Sequence, residues 1–299
     1  MRGVFFIVGP TATGKSELAA DVANELGAEI ISADAFQIYC GLDLLTAKPD
    51  ASTLSKAPHH LIGTLSILQE MNAEKFRGLA LQAISEIQSR GKLAIVVGGS
   101  GLYLKALTHG LSVAPSADPD LRAHLNELSL TDLQKKLRGL DPKTAVNLKN
   151  RRRVVRAIEI CVLSGMPASE LRTDWKSDTA GEGVFVFRDR DDLYQRINKR
   201  VEKMFDNGVI EQVGAVGAMS ETASKMIGLR EIRELLSGKM SMLQCLAAIQ
   251  QSTRRYAKRQ LTWFRRQTNF QPLNLSPLTH NEARISLLAK ISGVLAGND

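Results

Sequence analysis

The sequence is poor in cysteine and contains no long apolar run. Its three cysteines, Cys40, Cys161 and Cys245, lie far apart and form no CxxC pair or Cys/His cluster, which argues against a disulfide framework and against a zinc site. The first apolar run, Val4–Val8, has five residues, fewer than the roughly 7–15 of a signal-peptide core, and no run approaches the ~18 residues of a membrane span. We therefore expect a cytoplasmic protein with no part in a membrane.

Internal repeats and low-complexity tracts are also absent, so the composition excludes a disordered or fibrous chain. What is present is an ordinary globular composition: 299 residues with 44% hydrophobic content. A chain of this length corresponds to about two domains by the rough rule of ~100–200 residues per domain.

The positive charge of the chain is concentrated in two stretches. The chain has 39 Lys and Arg against 31 Asp and Glu, a formal net charge of +8. Six basic residues lie in 142–158 and seven in 235–281, and neither stretch contains an acidic residue. Such stretches attract polyanions, nucleic acid first, because each Lys or Arg placed against a phosphate releases a counterion. A solvated helix face would explain the same charges, so charge alone leaves both interpretations open.

Short apolar runs alternate with helical patterns in the first part of the chain, and another apolar run follows later. The predicted strands are Val4–Val8, Glu29–Ala33, Leu93–Val97 and Gly183–Phe187, and the predicted helices are Glu17–Leu26, Ala73–Arg90, Leu193–Asn207 and Met242–Arg266. Continuous β-branched runs indicate strands covered on both faces. We predict an α/β fold whose core is a mostly parallel sheet flanked by helices, with only a polar tail after the last helix.

The stretch from residue 116 to about 179 shows helical periodicity alone, broken at Asp141-Pro142 and Gly165-Met166-Pro167. This pattern predicts a small all-helical insert. The expected organisation is a first part of the core at 1–115, the insert at 116–181, and a second part of the core with a basic C-terminal helix at 182–299.

The strongest motif follows the first predicted strand and precedes a helix. It has the spacing G-x-x-x-x-G-K-[ST] and consists of Gly9, Pro10, Thr11, Ala12, Thr13, Gly14, Lys15 and Ser16. In such a P-loop the backbone N–H groups surround a phosphate, the lysine neutralises it and the serine hydroxyl can bind Mg²⁺. The loop therefore predicts a site for a diphosphate or a nucleotide polyphosphate such as ATP, with Mg²⁺ as cofactor.

The sheet provides one carboxylate beside this loop. The third strand ends in Gly98-Gly99-Ser100-Gly101 rather than in the acidic residue typical of an NTPase, which weakens an ATPase interpretation. The second strand instead ends at Asp34, and ligands bind at the carboxyl ends of parallel strands. Asp34 is the best candidate for a general base, and the alternative is that its side chain only caps the following turn.

Seven motifs in order resemble the tRNA dimethylallyltransferases, also called isopentenyltransferases. The likeness runs from Val4 to about Arg266 and consists of a phosphate loop followed by I-S-x-D-S-x-Q-x-Y, G-T-A-K-P, P-H-H-L-[IL]-D, V-G-G-[TS]-x-L-Y, R-[RVL]-x-R-A-[LI]-E and T-R-x-x-A-K-R-Q-x-T-W. In this chain the motifs are Gly9–Ser16, Ile31–Tyr39, Thr46–Pro49, Pro58–Gly63, Val97–Tyr103, Arg153–Glu159 and Thr253–Trp263.

This resemblance implies the transfer of a dimethylallyl group from dimethylallyl diphosphate to the exocyclic amine of the adenosine 3′ of the anticodon in tRNA. By similarity Asp34 takes the proton from that amine, the Ser100 hydroxyl lies near the reacting centre, and Arg200 binds the diphosphate. Arg196 lies one helical turn from Arg200. The loop would then hold a diphosphate leaving group, which develops negative charge as the allylic bond breaks.

The resemblance also assigns a tRNA-binding set, because the family grips the anticodon stem-loop through its helical insert. The residues at the matching positions are Asp34, Ala35, Phe36, Gln37, Ser100, Arg122, Arg152, Arg153, Val154, Val155, Arg156, Lys225, Met226, Ile227, Gly228, Leu229 and Arg230. Bases in single-stranded loops are turned out at a cost of a few kcal/mol or less. The implied partners are tRNA and the prenyl donor, and we expect a monomer.

Four positions depart from the family pattern. Ala35 stands where serine is usual, Leu45 where glycine is usual, Gly63 where the pattern has an acid, and Asn150 where it has aspartate. None of the four replaces Asp34, Lys15, Ser100 or Arg200. They concern the surroundings of the predicted base rather than the reaction type.

Two further functions and three side-chain roles remain to be tested at this point. An adenylate isopentenyltransferase would use free AMP, ADP or ATP as acceptor, and a P-loop kinase or NTPase would hydrolyse or transfer phosphate. The sequence further predicts that Tyr256 and Trp263 lie in the core rather than stack on bases. The pair His59-His60 is predicted to pack or to line the substrate pocket, because adjacent side chains diverge and no metal-binding cluster accompanies them.

Overall fold

The computed structural model describes residues 3–111, 114–171, 181–267 and 270–296. The description of residue 267 covers its backbone only. The described residues form two compact units, one from those within 1–108 and 179–299 and the other from those within 109–178. The predicted insert, 116–181, covers most of the second unit, and its residues 172–180 lie outside the described part of the chain.

The first unit contains a six-stranded sheet in which every pair of neighbouring strands is parallel. The strands are β1 (Val4–Val8), β2 (Glu29–Ala33), β3 (His59–His60), β4 (Ala94–Gly98), β5 (Glu182–Phe187) and β6 (Gln271–Asn274), in the order β3-β2-β4-β1-β5-β6. Strands β1, β2 and β4 are buried at every position, because helices cover both faces of the sheet. The predicted α/β fold with a parallel sheet is therefore confirmed.

The described residues contain twelve α-helices and one 3-10 turn at Ala223–Lys225. The helices are α1 (Lys15–Leu26), α2 (Ala51–Leu54), α3 (Ala73–Ser89), α4 (Gly101–His109), α5 (Pro119–Glu127), α6 (Leu130–Leu140), α7 (Arg151–Ser164), α8 (Arg190–Asp206), α9 (Val209–Gly214), α10 (Leu229–Leu236), α11 (Met242–Gln267) and α12 (His280–Ala296).

Two hydrophobic layers lie on opposite faces of the sheet, since successive strand residues point to opposite sides. Phe6 belongs to a layer with Phe76 and Phe264, from helices α3 and α11. Phe5 belongs to the other layer, which contains Leu18 from α1 and Leu287 from α12. Because β1 and β2 each pair in parallel with β4, the carboxyl ends of the three strands lie side by side at one edge of the sheet.

The prediction of a polar tail after the last basic helix was wrong. Strand β6 pairs in parallel with β5, and Ala283, Leu287 and Ile291 of helix α12 are buried in the core. These three positions recur every four residues, which places them on one face of a helix. The apolar residues at these positions were present in the sequence, but apolar residues also lie between them, at Ile285 and Leu288, so no single apolar stripe stood out.

The edge of the sheet next to β3 is fastened by one buried carboxylate. Glu29, the first residue of β2, accepts hydrogen bonds from Arg90 at 2.7 Å and Lys92 at 3.1 Å, and it pairs with His60 of β3 at 2.8 Å. The Arg90 hydrogen bond is the main reason that the pKa of Glu29 falls to about 2. The side chain of His60 is therefore held by Glu29 at the edge of the sheet.

Helices α5, α6 and α7 form the second unit around their own apolar core. Each begins with a side chain that accepts a backbone N–H: Asp118, Ser129 and Asn150. Asn150 is one of the departures from the family pattern, and it preserves the cap because asparagine and aspartate serve equally well at a helix N-terminus.

Candidate active site

The loop between β1 and α1 is held in one conformation by arginines that follow it far along the chain. Arg188 Nε donates to the Thr13 carbonyl oxygen at 2.8 Å, Arg196 Nε to that of Ala12 at 2.9 Å, and Arg200 Nη1 to Thr11 Oγ1 at 2.8 Å. Ala12 itself adopts a left-handed φ of 64°, a conformation that needs support from its surroundings in a residue other than glycine. The arginines fix the loop and at the same time give it positive charge.

Arg188 was not among the residues predicted from the sequence. It precedes α8, and Asp192 within that helix accepts a hydrogen bond from its Nη1 atom at 2.9 Å. The sequence alone indicates only an ordinary ion pair between Arg188 and Asp192, which are four residues apart. Only the fold shows that the same guanidinium reaches the phosphate loop.

Lys15 and Arg200 are cations in a desolvated setting. Lys15 Nζ donates to the Pro10 carbonyl oxygen at 3.1 Å, and burial lowers its pKa to about 8, assisted by the nearby charge of Arg200 and opposed by Asp34. Burial likewise lowers the pKa of Arg200, and Asp34 again opposes the change. Both side chains are partly buried, and cations that have lost part of their hydration bind an incoming anion more strongly than fully hydrated ones do.

Asp34 follows β2 and performs the capping role that the sequence left open. Its Oδ1 atom accepts the backbone N–H of Phe36 at 2.9 Å and of Gln37 at 3.2 Å. Among the described residues its Oδ2 atom has no hydrogen-bond partner, and the residue lines the cavity beside the phosphate loop. The two interpretations are therefore compatible: one oxygen holds the turn and the other is available for chemistry.

Ser100 lies next to this turn at the end of β4. Its Oγ atom accepts the backbone N–H of Ala35 at 2.9 Å. Ala35 thus contributes to the site through its backbone, so the missing serine hydroxyl leaves this contact intact.

Tyr256 departs from its predicted place in the core. The ring lines the same cavity as Asp34, and burial raises the pKa of its hydroxyl well above the ordinary value. Trp263, by contrast, packs against the core as predicted, with its ring in a T-shaped contact with Phe264.

A residue that the sequence analysis did not single out joins the two halves of the site. Gln260 of α11 is buried, its Oε1 atom accepts the Thr11 N–H at 3.0 Å, and its Nε2 atom donates to the Gly99 carbonyl oxygen at 2.9 Å. A Cβ atom at Gly99 would lie 2.4 Å from Gln260 Nε2 and 2.9 Å from the Gly9 carbonyl oxygen, so a larger residue there would displace Gln260. Gln260 is part of the final family motif, but its partners lie more than 160 residues away, beyond the reach of local pattern.

The loop from Leu42 to Asp50 forms another wall of the cavity. The Ala47 carbonyl oxygen accepts Gln37 Nε2 at 3.0 Å and Arg200 Nη2 at 3.4 Å, so one atom links the predicted adenine side to the predicted diphosphate side. Leu45, where the family has glycine, is buried and lines the cavity, and its N–H donates to Gln212.

Gly63, which stands where the family pattern has an acidic residue, lies beside Lys48. A Cβ atom at position 63 would be 3.3 Å from Lys48 Nζ, so an acid at this position would meet that amine. In this chain Lys48 pairs with Asp43 and donates to the Tyr39 carbonyl oxygen at 2.5 Å. Asp43 therefore supplies the negative charge that Gly63 lacks.

The cavity enclosed by these elements has a volume of about 470 Å³ and lies entirely within the first unit. The phosphate loop, Asp34, Gln37, Arg200 and Tyr256 all contribute to its wall. His59 lines a small adjoining cavity together with Ser16 and Asp34. The described residues contain no cluster of three or more His, Cys, Asp or Glu suited to a metal ion.

The predicted tRNA-binding residues divide into buried and exposed groups. Val154 and Val155 of α7 and Leu229 of α10 have buried side chains, and Met226 is buried at the cavity wall. These side chains serve the packing of the helices that carry the basic residues, and the assignment of the four positions to RNA binding stays a prediction. Ile227 lines the cavity, and Gly228 precedes α10 in a left-handed conformation.

Two of the predicted RNA-binding arginines hold a buried carboxylate. Arg122 donates to Glu159 through Nε at 2.5 Å and Nη2 at 2.6 Å, and Arg156 Nη1 donates to it at 3.3 Å. Glu159 is completely buried. Arg152 and Arg153 are exposed on α7. Arg230 is exposed beside Glu231, and Lys225 pairs with Glu221 at 2.5 Å.

Comparison with known proteins identifies relatives of this chain. The family model "IPP transferase" matches residues 37–267. The tRNA dimethylallyltransferase of Akkermansia muciniphila is 40% identical over 274 residues, which is 91% of this chain and 93% of that protein. The tRNA dimethylallyltransferase 1 of Citrifermentans bemidjiense is 42% identical and spans 87% of this chain and 88% of its own length.

Solved structures agree with the sequence relatives. The full-length tRNA isopentenylpyrophosphate transferase of Bacillus halodurans is 33% identical, with a TM-score of 0.73 and coverage of 98% of this chain and 97% of that one. A eukaryotic dimethylallyltransferase acting on tRNA is 25% identical, with a TM-score of 0.84 and coverage of 99% and 79%. No helix among the described residues is long and apolar enough to cross a membrane. With the motif order and the fold, these matches show that the chain belongs to the IPP transferase family.

Proposed function

We propose that the protein transfers a dimethylallyl group from dimethylallyl diphosphate to the exocyclic amine of the adenosine 3′ of the anticodon in tRNA. One observation carries the proposal: a single cavity contains both the cationic phosphate loop and Asp34, whose Oδ2 atom has no hydrogen-bond partner among the described residues. The relatives named tRNA dimethylallyltransferase support tRNA as the acceptor. With tRNA as acceptor, the proposed place of action is the cytoplasm.

The donor's diphosphate would lie on the loop Gly9–Ser16. As the allylic C–O bond breaks, negative charge accumulates on the departing diphosphate, and Lys15 and Arg200 are already in place to stabilise it. Preorganised cations of this kind need little rearrangement during the reaction and therefore lower its barrier. The N-terminus of α1 adds a partial positive charge at the same place.

The acceptor amine would lie at the Asp34 end of the cavity. The amine nitrogen forms a bond to the allylic carbon, the bond from that carbon to the diphosphate oxygen breaks, and Asp34 Oδ2 receives the proton that nitrogen loses. Ser100 and the segment Asp34–Gln37 would position the adenine edge, since Ser100 holds the Ala35 N–H. The roles of Ser100 and Asp34–Gln37 rest on the family resemblance together with this placement.

Mg²⁺ fits the oxygen donors present. Ser16 and Asp34 line the same small cavity, and Mg²⁺ prefers oxygen ligands, retains several waters and commonly binds substrate phosphates. We propose that the Ser16 hydroxyl holds the ion against the diphosphate, where the ion would neutralise part of the leaving group's charge. The absence of a larger carboxylate cluster among the described residues agrees with an ion held mainly by substrate and water.

The exposed basic residues of the chain would hold the tRNA. Arg152, Arg153 and Arg230 present guanidinium groups at the surface, and Lys225 is partly exposed. Arg122 and Arg156 form ion pairs with Glu159. Their main contribution to RNA binding would be to hold helix α7 in place. The proposed grip therefore depends on fewer side chains than the family positions alone would suggest.

The test is incubation of the purified protein with Mg²⁺ and radiolabelled dimethylallyl diphosphate, with unmodified tRNA in one reaction and AMP in another. Label in tRNA is the expected result and fixes donor, acceptor and reaction class together. Label in AMP alone would assign the chain to the free-nucleotide enzymes and overturn the proposal. Release of phosphate from ATP, stimulated by tRNA and without prenyl transfer, would favour an NTPase instead.

A further inference from the structure

One helix supplies four cations to the cavity wall. Arg196, Lys199, Arg200 and Lys203 of α8 all line the cavity, and their spacing of i, i+3, i+4 and i+7 places them on one face of the helix. The face is therefore a continuous basic stripe that runs from the phosphate loop outward.

The two arginines and the two lysines of this stripe have different surroundings. Arg196 and Arg200 donate hydrogen bonds to the loop at Ala12 and Thr11. Lys199 and Lys203 are exposed, and neither forms an ion pair or side-chain hydrogen bond with another described residue. The lysines line a cavity wall without contributing to its internal structure, so their charge is available to a ligand.

The donor's diphosphate does not account for the two lysines. Its charge already meets Lys15, Arg196 and Arg200 at the loop, and its two phosphoryl groups share one oxygen and so stay close together. Lys203 lies seven residues beyond Arg196, about 10 Å along a helix that rises ~1.5 Å per residue. A second anion, separate from the diphosphate, is needed to use that charge.

The rest of the cavity wall indicates where this anion comes from. The same wall includes Met226 and Ile227, and residues 226 and 227 belong to the segment that leads to the exposed Arg230. An adenosine inside an RNA strand carries a phosphate on each side of its ribose. When its base enters the cavity, at least one of these phosphates must stay near the opening.

We propose that Lys199 and Lys203 form a second phosphate subsite, which binds a backbone phosphate of the acceptor RNA next to the modified nucleotide. The inference rests on the proposed function, because it takes tRNA as the acceptor. A lysine amine is a compact point charge that contacts phosphate without reading sequence. The subsite therefore fixes the position of the strand while the residues near Asp34 select the base.

The experiment compares the double variant Lys199→Ala/Lys203→Ala with the parent in filter binding of tRNA over a range of salt concentrations. We expect the slope of log affinity against log salt to decrease by about 1–2, since each phosphate contact contributes ~0.7–0.9 to the slope. In the transfer assay the KM for tRNA should rise by about an order of magnitude, whereas the KM for dimethylallyl diphosphate should not change.

Lys290→Ala is the control, and it removes one charge, as each of the single variants Lys199→Ala and Lys203→Ala does. Lys290 lies on α12 and its amine contacts only the Gln271 side chain among the described residues, so its loss should leave the salt slope and both KM values at parental values. The control separates loss of one local contact from a general decrease in net positive charge.

Three outcomes would overturn the inference while leaving the proposed function in place. The parent would transfer the prenyl group to tRNA, but the double variant would show an unchanged salt slope, or a slope changed no more than by Lys290→Ala, or a raised KM for the donor with an unchanged KM for tRNA. The last result would assign the lysines to the diphosphate. If the parent itself neither binds nor modifies tRNA, the proposed function fails and the subsite fails with it.

Discussion

At the residue scale the site depends on how two oxygens of one carboxylate are used. Asp34 Oδ1 is committed to the backbone of Phe36 and Gln37, which holds the side chain in a fixed orientation. Oδ2 is thereby presented to the cavity without freedom to rotate away. This division explains how a residue that caps a turn can also act as a base.

Asp34→Asn tests that division. The asparagine carbonyl oxygen can still accept both backbone hydrogen bonds, so the turn and the affinity for tRNA should be preserved. The amide cannot take up the amine proton, and turnover should fall by about 10²–10⁴, the usual contribution of general-base catalysis. Single-turnover transfer assays and filter binding measure the two quantities.

Asp50→Asn is the matched control, since Asp50 lines the same cavity and caps α2, and asparagine caps a helix equally well. Its turnover should stay near the parental value. Equal losses in the two variants would remove Asp34 from the role of base.

The lowered pKa of Lys15 predicts that the use of the donor, dimethylallyl diphosphate, depends on pH. Its pKa is lowered to about 8, chiefly by burial, so in the free protein the amine loses its proton as pH rises through about 8. Only the protonated amine attracts the diphosphate. We therefore expect kcat/KM for dimethylallyl diphosphate to be constant below about pH 7 and to decrease by up to tenfold per pH unit above pH 8.

Lys15→Arg checks the assignment, because guanidinium keeps its proton over this range. The variant should lose activity through the changed shape of the side chain but show no decline of kcat/KM between pH 8 and pH 10. A decline in both proteins would assign the titration to another group.

At the scale of elements, helix α11 determines the distance between the two reacting partners. Gln260 connects the Thr11 N–H of the phosphate loop to the Gly99 carbonyl oxygen, one residue before Ser100. Tyr256, one turn earlier on the same helix, lines the cavity that contains Asp34. The helix that carries the basic C-terminal stretch is therefore also the element that aligns loop and strand end.

Gln260→Ala should reduce kcat by about 10–100-fold, because a displacement of about 1 Å at reacting groups costs up to ~10² in rate. Gln260→Glu keeps an acceptor for the Thr11 N–H but loses the donor to Gly99, so it should retain the KM for the donor better than Gln260→Ala does. Steady-state kinetics with each substrate varied in turn measures both effects.

The control for this prediction is Gln250→Ala, on the same helix, whose side chain contacts Glu202 and the Asn198 carbonyl oxygen at the opposite end. It should leave kcat unchanged. If Gln260→Ala and Gln260→Glu raise the KM for tRNA alone, Gln260 serves RNA binding rather than alignment.

The elements differ in how far the sequence determines them. The strands β1 and β2 and the phosphate loop could be predicted because a continuous apolar run and a fixed spacing are local signals. Asp34 could be predicted from its place after a strand. Arg188 and Gln260 could not, because each acts on a loop far away in the sequence and only the packing of α8 and α11 brings them there.

At the scale of the whole molecule, the positive charge has two uses that the sequence cannot separate. In the second unit Arg122 and Arg156 neutralise the buried Glu159, whereas the side chain of Arg153 on the same helix α7 is exposed and has no hydrogen bond or ion pair with the described residues. Two arginines of the same basic stretch therefore have different roles: Arg156 stabilises the fold, whereas Arg153 is available to bind a polyanion.

Arg122→Ala and Arg153→Ala should consequently fail in different ways. Removing Arg122 leaves Glu159 buried with a single remaining guanidinium, and breaking a buried pair costs about 3–5 kcal/mol, less here because Arg156 stays. We expect the free energy of unfolding, measured in urea, to decrease by roughly 1–3 kcal/mol.

Arg153→Ala should unfold like the parent but bind every tRNA more weakly, whatever its sequence, with the salt slope of binding reduced by about 1. Urea titration and filter binding of both variants test these expectations. Equal unfolding midpoints for the two variants would show that Arg122 does not stabilise the fold. A parental salt slope in Arg153→Ala would show that α7 does not bind the RNA.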